Sequence, residues 1–255
     1  MRTRQTHWIV AVTLMASPLL LADGQSMTAT LANLTSNVDT VRANALGQLT
    51  RRGAAEHFAV CSPAATNQIK ESLIAALEKE NVAIPNADGG ENEGESYANL
   101  IGCVASLRDT HGTHALVGAI DTGWGAINGI LNLGDAAVPA VVAVLTEPNS
   151  RTTAREAAAG TLGSFLSLSG PKPVSANSRT MIRAALLKAV TGKSMLVRST
   201  AIKSLAPFRD LEVRQVITAA AESDTGMKIG SEPRRFPVRN AAQTWMRQDS
   251  LKIKK

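Results

Sequence analysis

Cys61 and Cys103 are the only cysteines of this 255-residue chain, and what two thiols do depends on the compartment, since disulfides persist where it is oxidising. Cys61 precedes the first of two helices that the pattern below makes antiparallel, and Cys103 falls in the second. The end of that second helix returns toward Cys61, so a bridge is expected, worth about 4 kcal/mol in the chain-entropy model. The alternative stays open: Cys103 as a small buried residue, with Cys61 free. Asp109, His111 and His114 in D-T-H-G-T-H are metal-ligand types, but Gly112 and an expected helix start loosen their spacing, and no metal site is expected. The serines fall in turns or on polar faces, and none joins a His and an acid as a nucleophile would. Gly123-Trp124-Gly125 lacks the strand and the Lys of a phosphate loop, and Trp124 is expected to plug a gap between helices. Neither a cofactor nor a catalytic residue is expected, and His57 reads as a partly buried helix residue.

The remaining candidate chemistry is cationic and periodic. VRANALGQL (41–49), AREAAAGTL (154–162), VRSTAIKSL (197–205) and VRNAAQTWM (238–246) are one segment written four times. In each, Arg42, Arg155, Arg198 or Arg239 is followed three residues on by Ala and seven on by Leu or Met, which is one face of a helix. A cation at a helix start opposes the positive end of the dipole, so something must offset it. Stacked at about 10 Å per helix, the arginines either bond carbonyls or acids such as Asp210 and Glu222 in adjoining turns, or form a positive rail for an acidic partner.

The elements that position this row are helix pairs. NLIGCVASL (99–107) and GAINGILNL (125–133) keep a small residue, Cys103 or Gly129, where the four clear copies have Ala. Six second helices result, each preceded by a plausible first helix at 27–36, 66–81, 112–121, 136–147, 179–191 or 211–222. Residues 81–96, 167–178 and 223–237, rich in Gly, Pro, Asn and Ser, read as loops. A unit of this kind cannot bury its apolar face alone and must stack on its neighbours.

LGDAAVPAVVAVL (133–145), the turn holding Pro148, and AREAAAGTL together resemble HEAT repeats of the short type named after phycobilisome lyases. The resemblance is strongest over 134–163 and implies an all-α, right-handed superhelical solenoid of about six antiparallel helix pairs spanning 25–250. In that family an Asp three residues before the helix Arg commonly ties neighbouring repeats. Here only Asp39 and Arg42 keep that spacing, Thr152, Met195 and Phe236 standing at the matching positions. Some HEAT enzymes hold paired iron through several His-Glu dipeptides, of which this chain has only the reversed Glu56-His57. A bilin-lyase-like enzyme is what resemblance alone suggests, against the missing catalytic cluster.

Arg2 and Arg4, an apolar run from Trp8 to Leu21 and small residues at Ala22 and Gly24 have the layout of a signal peptide, expected to be cleaved after Gly24. The run is shorter than the roughly 20 residues that span a bilayer, and no later span is expected. Few aromatics (3% of the chain) and abundant Ala suit close-packed helices and argue against a β-sandwich. Residues 25–178 carry 9 Lys and Arg against 14 Asp and Glu, and residues 179–255 carry 16 against 6, net charges of −5 and +10. Arg179, Arg183, Arg234 and Arg235 add to that basic end, with Lys252, Lys254 and Lys255 in a tail at 251–255 expected beyond the last helix. The expected molecule is an exported, periplasmic or extracellular, non-enzymatic scaffold for a protein partner. The second reading is a module holding an anionic polymer or lipid head group on its basic C-terminal repeats. Scarce aromatics and export argue against nucleic acid.

Overall fold

The computed structural model describes residues 27–50, 60–83, 91–167, 173–226 and 236–253. Among them every regular element is helical, with no strand. In chain order the α-helices are α1 (Met27–Leu34), α2 (Asp39–Thr50), α3 (Asn67–Ala83), α4 (Glu91–Leu107), α5 (Thr113–Gly118), α6 (Trp124–Leu133), α7 (Val138–Thr146), α8 (Thr152–Leu166), α9 (Ala176–Val190), α10 (Met195–Ser204), α11 (Leu211–Glu222) and α12 (Pro237–Ile253). They pack as six consecutive pairs, α1 with α2 through α11 with α12. Each first helix also touches the first helix of the next pair, and each second helix the next second helix, along the whole chain. The turns inside pairs therefore lie along one edge and the turns between pairs along the other.

Local chemistry explains where the boundaries depart from expectation. The expected loop at 81–96 shrinks, because α3 runs through Ala83 and α4 starts at Glu91; acidic residues suit a helix N-terminus and outweigh the cost of Gly94. α9 starts at Ala176, earlier than expected, because the Ser175 hydroxyl accepts from Ser178 N at 3.2 Å and caps it. α12 opens on Pro237, whose missing N–H costs nothing there. It continues to Ile253, so Lys252 belongs to its last turn and not to a tail beyond it. The signal-like residues 1–24 and the last two lysines lie outside the described residues.

The small residue expected in every second helix is buried in all six: Ala45, Cys103, Gly129, Ala158, Ala201 and Ala242. Helices come close at these points. A Cβ added at Gly129 would stand 2.7 Å from Ala105 Cβ, and one at Gly163 would stand 3.0 Å from Ser204 Cα. Polar ties cross between second helices at the same level, Ser204 Oγ donating to Ala159 O at 2.8 Å and Trp245 Nε1 to Leu205 O at 3.2 Å. Gly129→Leu and Ala158→Leu should each destabilise the protein by about 1 to 3 kcal/mol through overpacking. Urea unfolding measures it, and unchanged midpoints in both would contradict this packing.

Trp245 is 2% exposed and seals the last pair. Trp124 does the opposite of what its sequence suggests: it is 73% exposed at the first position of α6 and plugs no gap. The stretch Trp124–Thr146 is long and apolar enough to cross a bilayer. Here a 3-10 turn at Gly134–Ala137 divides it between two pairs, and half of it is buried in the fold.

Candidate functional site

The recurrent arginine stands in the first turn of its helix and turns back across the loop to the end of the preceding first helix. Arg42 Nη1 donates to Ser36 O at 2.9 Å, and Arg155 Nε donates to Leu145 O at 3.1 Å. Arg198 Nη1 donates to Gly192 O at 3.1 Å and Lys193 O at 3.2 Å, and Arg239 Nη2 to Asp224 O at 3.0 Å. Every acceptor lies at or just past the C-terminus of the paired first helix, where carbonyls lack intrahelical partners and the dipole is negative. This resolves the electrostatic conflict posed by the sequence. The cation opposes its own helix but complements its neighbour, two residues from whose end the guanidinium is anchored in three of the four cases.

The acids expected to receive these arginines are used otherwise. Asp210 accepts from Arg183 Nη2 at 2.7 Å, Glu212 accepts from the same nitrogen at 2.6 Å, and Glu222 is exposed. Among the described residues Arg42 alone of the four pairs its guanidinium with a buried acid, Nε donating to Glu80 at 2.6 Å with the two side chains 6% and 9% exposed, while the buried Asp224 carboxylate accepts from the backbone N of Arg239 at 3.0 Å. Glu80 was not singled out from the sequence, where the pairing of Arg42 pointed to Asp39, whose side chain lies outside the described residues. Arg239 is also stacked 4.4 Å over the Phe236 ring, and Arg179 lies 5.8 Å over Phe208.

These cations do not form one patch. Arg155, Arg198 and Arg239 line the edge of turns inside pairs, whereas Arg179 stands in the first turn of α9 and Arg183, midway along it, reaches Asp210 at the start of α11 on the opposite edge. Arg234 and Arg235 lie outside the described residues. Single Arg155→Gln, Arg198→Gln and Arg239→Gln changes should each lower stability by about 1 to 3 kcal/mol, the cost of a lost charge-assisted bond with an acceptor left unpaired. Thermal melts read this directly. Melts equal to the parent's or better would mean that the dipole penalty of the cation outweighs its carbonyl bonds.

Cys61 and Cys103 are joined in a disulfide, their Cα atoms 4.7 Å apart. That bond is compatible with an oxidising compartment. The His-containing motif works as a turn: Asp109 Oδ1 accepts from His111 N at 3.0 Å and lies 2.8 Å from His111 Nδ1, while His111 and His114 are exposed. His57 lies outside the described residues. Among the described residues no three His, Cys, Asp or Glu side chains gather as metal ligands would.

The perturbed ionisations are structural in cause. The backbone and ring N–H groups of His111 hold the Asp109 carboxyl below the usual range, and Arg183 does the same for Asp210. Burial, reinforced by the Asp121 charge, pushes the Tyr97 hydroxyl up to about 12. It stays a neutral donor to Asn81 Oδ1 at 2.6 Å, and Asn81 Nδ2 in turn bonds Ala115 O at 2.7 Å, tying the second pair to the third. Because the carboxylate values are depressed on folding, their stabilisation is complete above the ordinary value near 4 and is lost as pH falls through the folded values. Melting temperature should therefore drop below about pH 4, and Asp210→Asn should flatten part of that drop. An acid limb as steep in the variant as in the parent would contradict the Arg183 contact.

No family model matches the chain, and no curated protein matches it.

Proposed function

We propose that the six stacked pairs form a HEAT-like α-solenoid with a right-handed superhelical path, acting as an exported, non-enzymatic scaffold that holds a protein partner. The observation that carries this reading is the unbroken double row of helices, first on first and second on second from α1 to α12. Such an array spreads its side chains over a long surface instead of converging them, which suits partner binding. The disulfide and the signal-like first 24 residues both support export. The test is affinity capture from native envelope extract at low and high salt. A protein partner retained at high salt supports the scaffold, and recovery of no protein partner at either salt refutes it.

The second reading keeps its ground on one observation. Lys188, Lys193 and Lys203 are exposed in the fifth pair with no ion pair among the described residues, as a site for an anionic polymer or lipid head group requires. Capture of such a polymer that vanishes at high salt would favour it.

A further inference from the structure

Among the described residues five large apolar side chains are exposed: Val38, Val82, Trp124, Leu196 and Leu211. Four of them share one edge. Val38 directly precedes α2, Val82 lies in the last turn of α3, and Trp124 and Leu196 occupy the first turns of α6 and α10, all where a first helix passes into its second. Only Leu211 lies on the opposite edge. Gly123 holds φ at +135°, a conformation closed to other residues, with nothing within 4 Å of where its Cβ would be. The backbone is thereby turned so that Trp124 leads α6 outward, 73% exposed.

The same edge is prepared for desolvation. Helix C-termini carry carbonyls that normally need water, but Arg42, Arg155, Arg198 and Arg239 bond those of four first helices. Lys79 Nζ adds a bond to Thr35 O at 2.8 Å. Neutralising the negative ends of the first helices leaves the positive ends of the second helices as the net field along this edge. Lys188 and Lys193 stand exposed around the turn that leads to Leu196, whereas among the described residues the exposed acids near this edge, Glu78, Glu147 and Glu222, belong to the second, fourth and sixth pairs.

We propose that this edge rests on an anionic lipid surface, with Trp124 and Leu196 entering the headgroup layer and Lys188 and Lys193 meeting lipid phosphates. The spacing selects lipid over a protein. The anchors sit in the first, second, third and fifth pairs, about 10 Å per pair, separated by polar turns. A folded partner needs a continuous patch of roughly 800 Å² with packed, complementary relief. A fluid interface needs no relief at all, and separated apolar anchors with exposed lysines along the same edge are the composition it takes up. This inference rests on the second reading above, whose Lys188 and Lys193 it uses, and it is independent of the scaffold reading.

The test uses protein purified after export, free of residues 8–21, with vesicles of phosphatidylglycerol mixed into phosphatidylcholine and of phosphatidylcholine alone. Trp124 should emit at shorter wavelength on the anionic vesicles and be quenched by brominated acyl chains, while Trp245, already buried, stays constant. Trp124→Ser/Leu196→Ser should sediment with vesicles at least about tenfold more weakly at an unchanged melt and helical spectrum. Lys188→Gln/Lys193→Gln should lose the preference for anionic lipid. Unchanged emission and no sedimentation of the parent would overturn the proposal, as would a serine variant that binds like the parent. Self-association of the parent without vesicle binding, abolished in the serine variant, would assign the edge to a second copy of this chain and overturn it equally.

Discussion

Replacing Arg42 by Met should destabilise the protein by about 3 to 5 kcal/mol, because removing one partner of a buried ion pair leaves an uncompensated charge inside. The charge left behind is Glu80, 9% exposed and held at 2.6 Å by Arg42 Nε, with Ser36 O losing its donor as well. The pair joins α2 of the first pair to α3 of the second, so the loss falls on the contact between them. Arg42→Met/Glu80→Leu should recover most of the stability, since a buried ion pair replaced by apolar groups of similar volume is often neutral or better. Urea melts of the two single variants and the double variant give the coupling energy. A single variant within about 1 kcal/mol of the parent would show the pair to be solvent-screened, as exposed pairs are.

That contact also marks how far the sequence could be read. The pairs were legible because a small residue and a Leu or Met recur at fixed distance from each arginine, from Ala45 and Leu49 to Ala242 and Met246. Periodicity encodes burial, and all six small residues are buried. Partners across pairs were not legible. Glu80 lies 38 residues from Arg42, on a helix whose pitch sets which side chain faces the neighbour, and nothing local marks it among Glu71, Glu78 and Glu80. Tyr97 and Asn81 escaped too, since their bond joins the two helices of the second pair and Asn81 reaches on to Ala115 O of the third. Trp124 failed differently. An aromatic in an apolar segment is usually core, and only the φ of Gly123 shows that the chain turns it out. Within the candidate site, the dipole argument demanded a partner for each arginine and named carbonyls or acids. Carbonyls receive all four, with the Glu80 carboxylate added for Arg42, and which carbonyls they are no sequence pattern can flag, since every residue carries one.

Removing the disulfide with Cys61→Ser/Cys103→Ser should destabilise the protein by about 4 kcal/mol, the loop-closure value for a link of this length. The two cysteines are 42 residues apart, and the loop they close contains all of α3, Glu80 included. Intact mass of native protein after alkylation should show both thiols blocked until reductant is added; two freely alkylated thiols would remove the bond. The bridge acts chiefly by restricting the unfolded chain, whereas Arg42 and Glu80 act in the folded one. If the protein unfolds as one unit, the losses from the serine pair and from Arg42→Met should therefore add to within about 0.5 kcal/mol. A shortfall would mean that, without its cross-link, the second pair opens ahead of the rest, as nearest-neighbour arrays allow. Hydrogen exchange on α3 distinguishes the cases: protection equal to that of α10 belongs to the single unit, and protection lost early belongs to a second pair that depends on the bridge to stay docked.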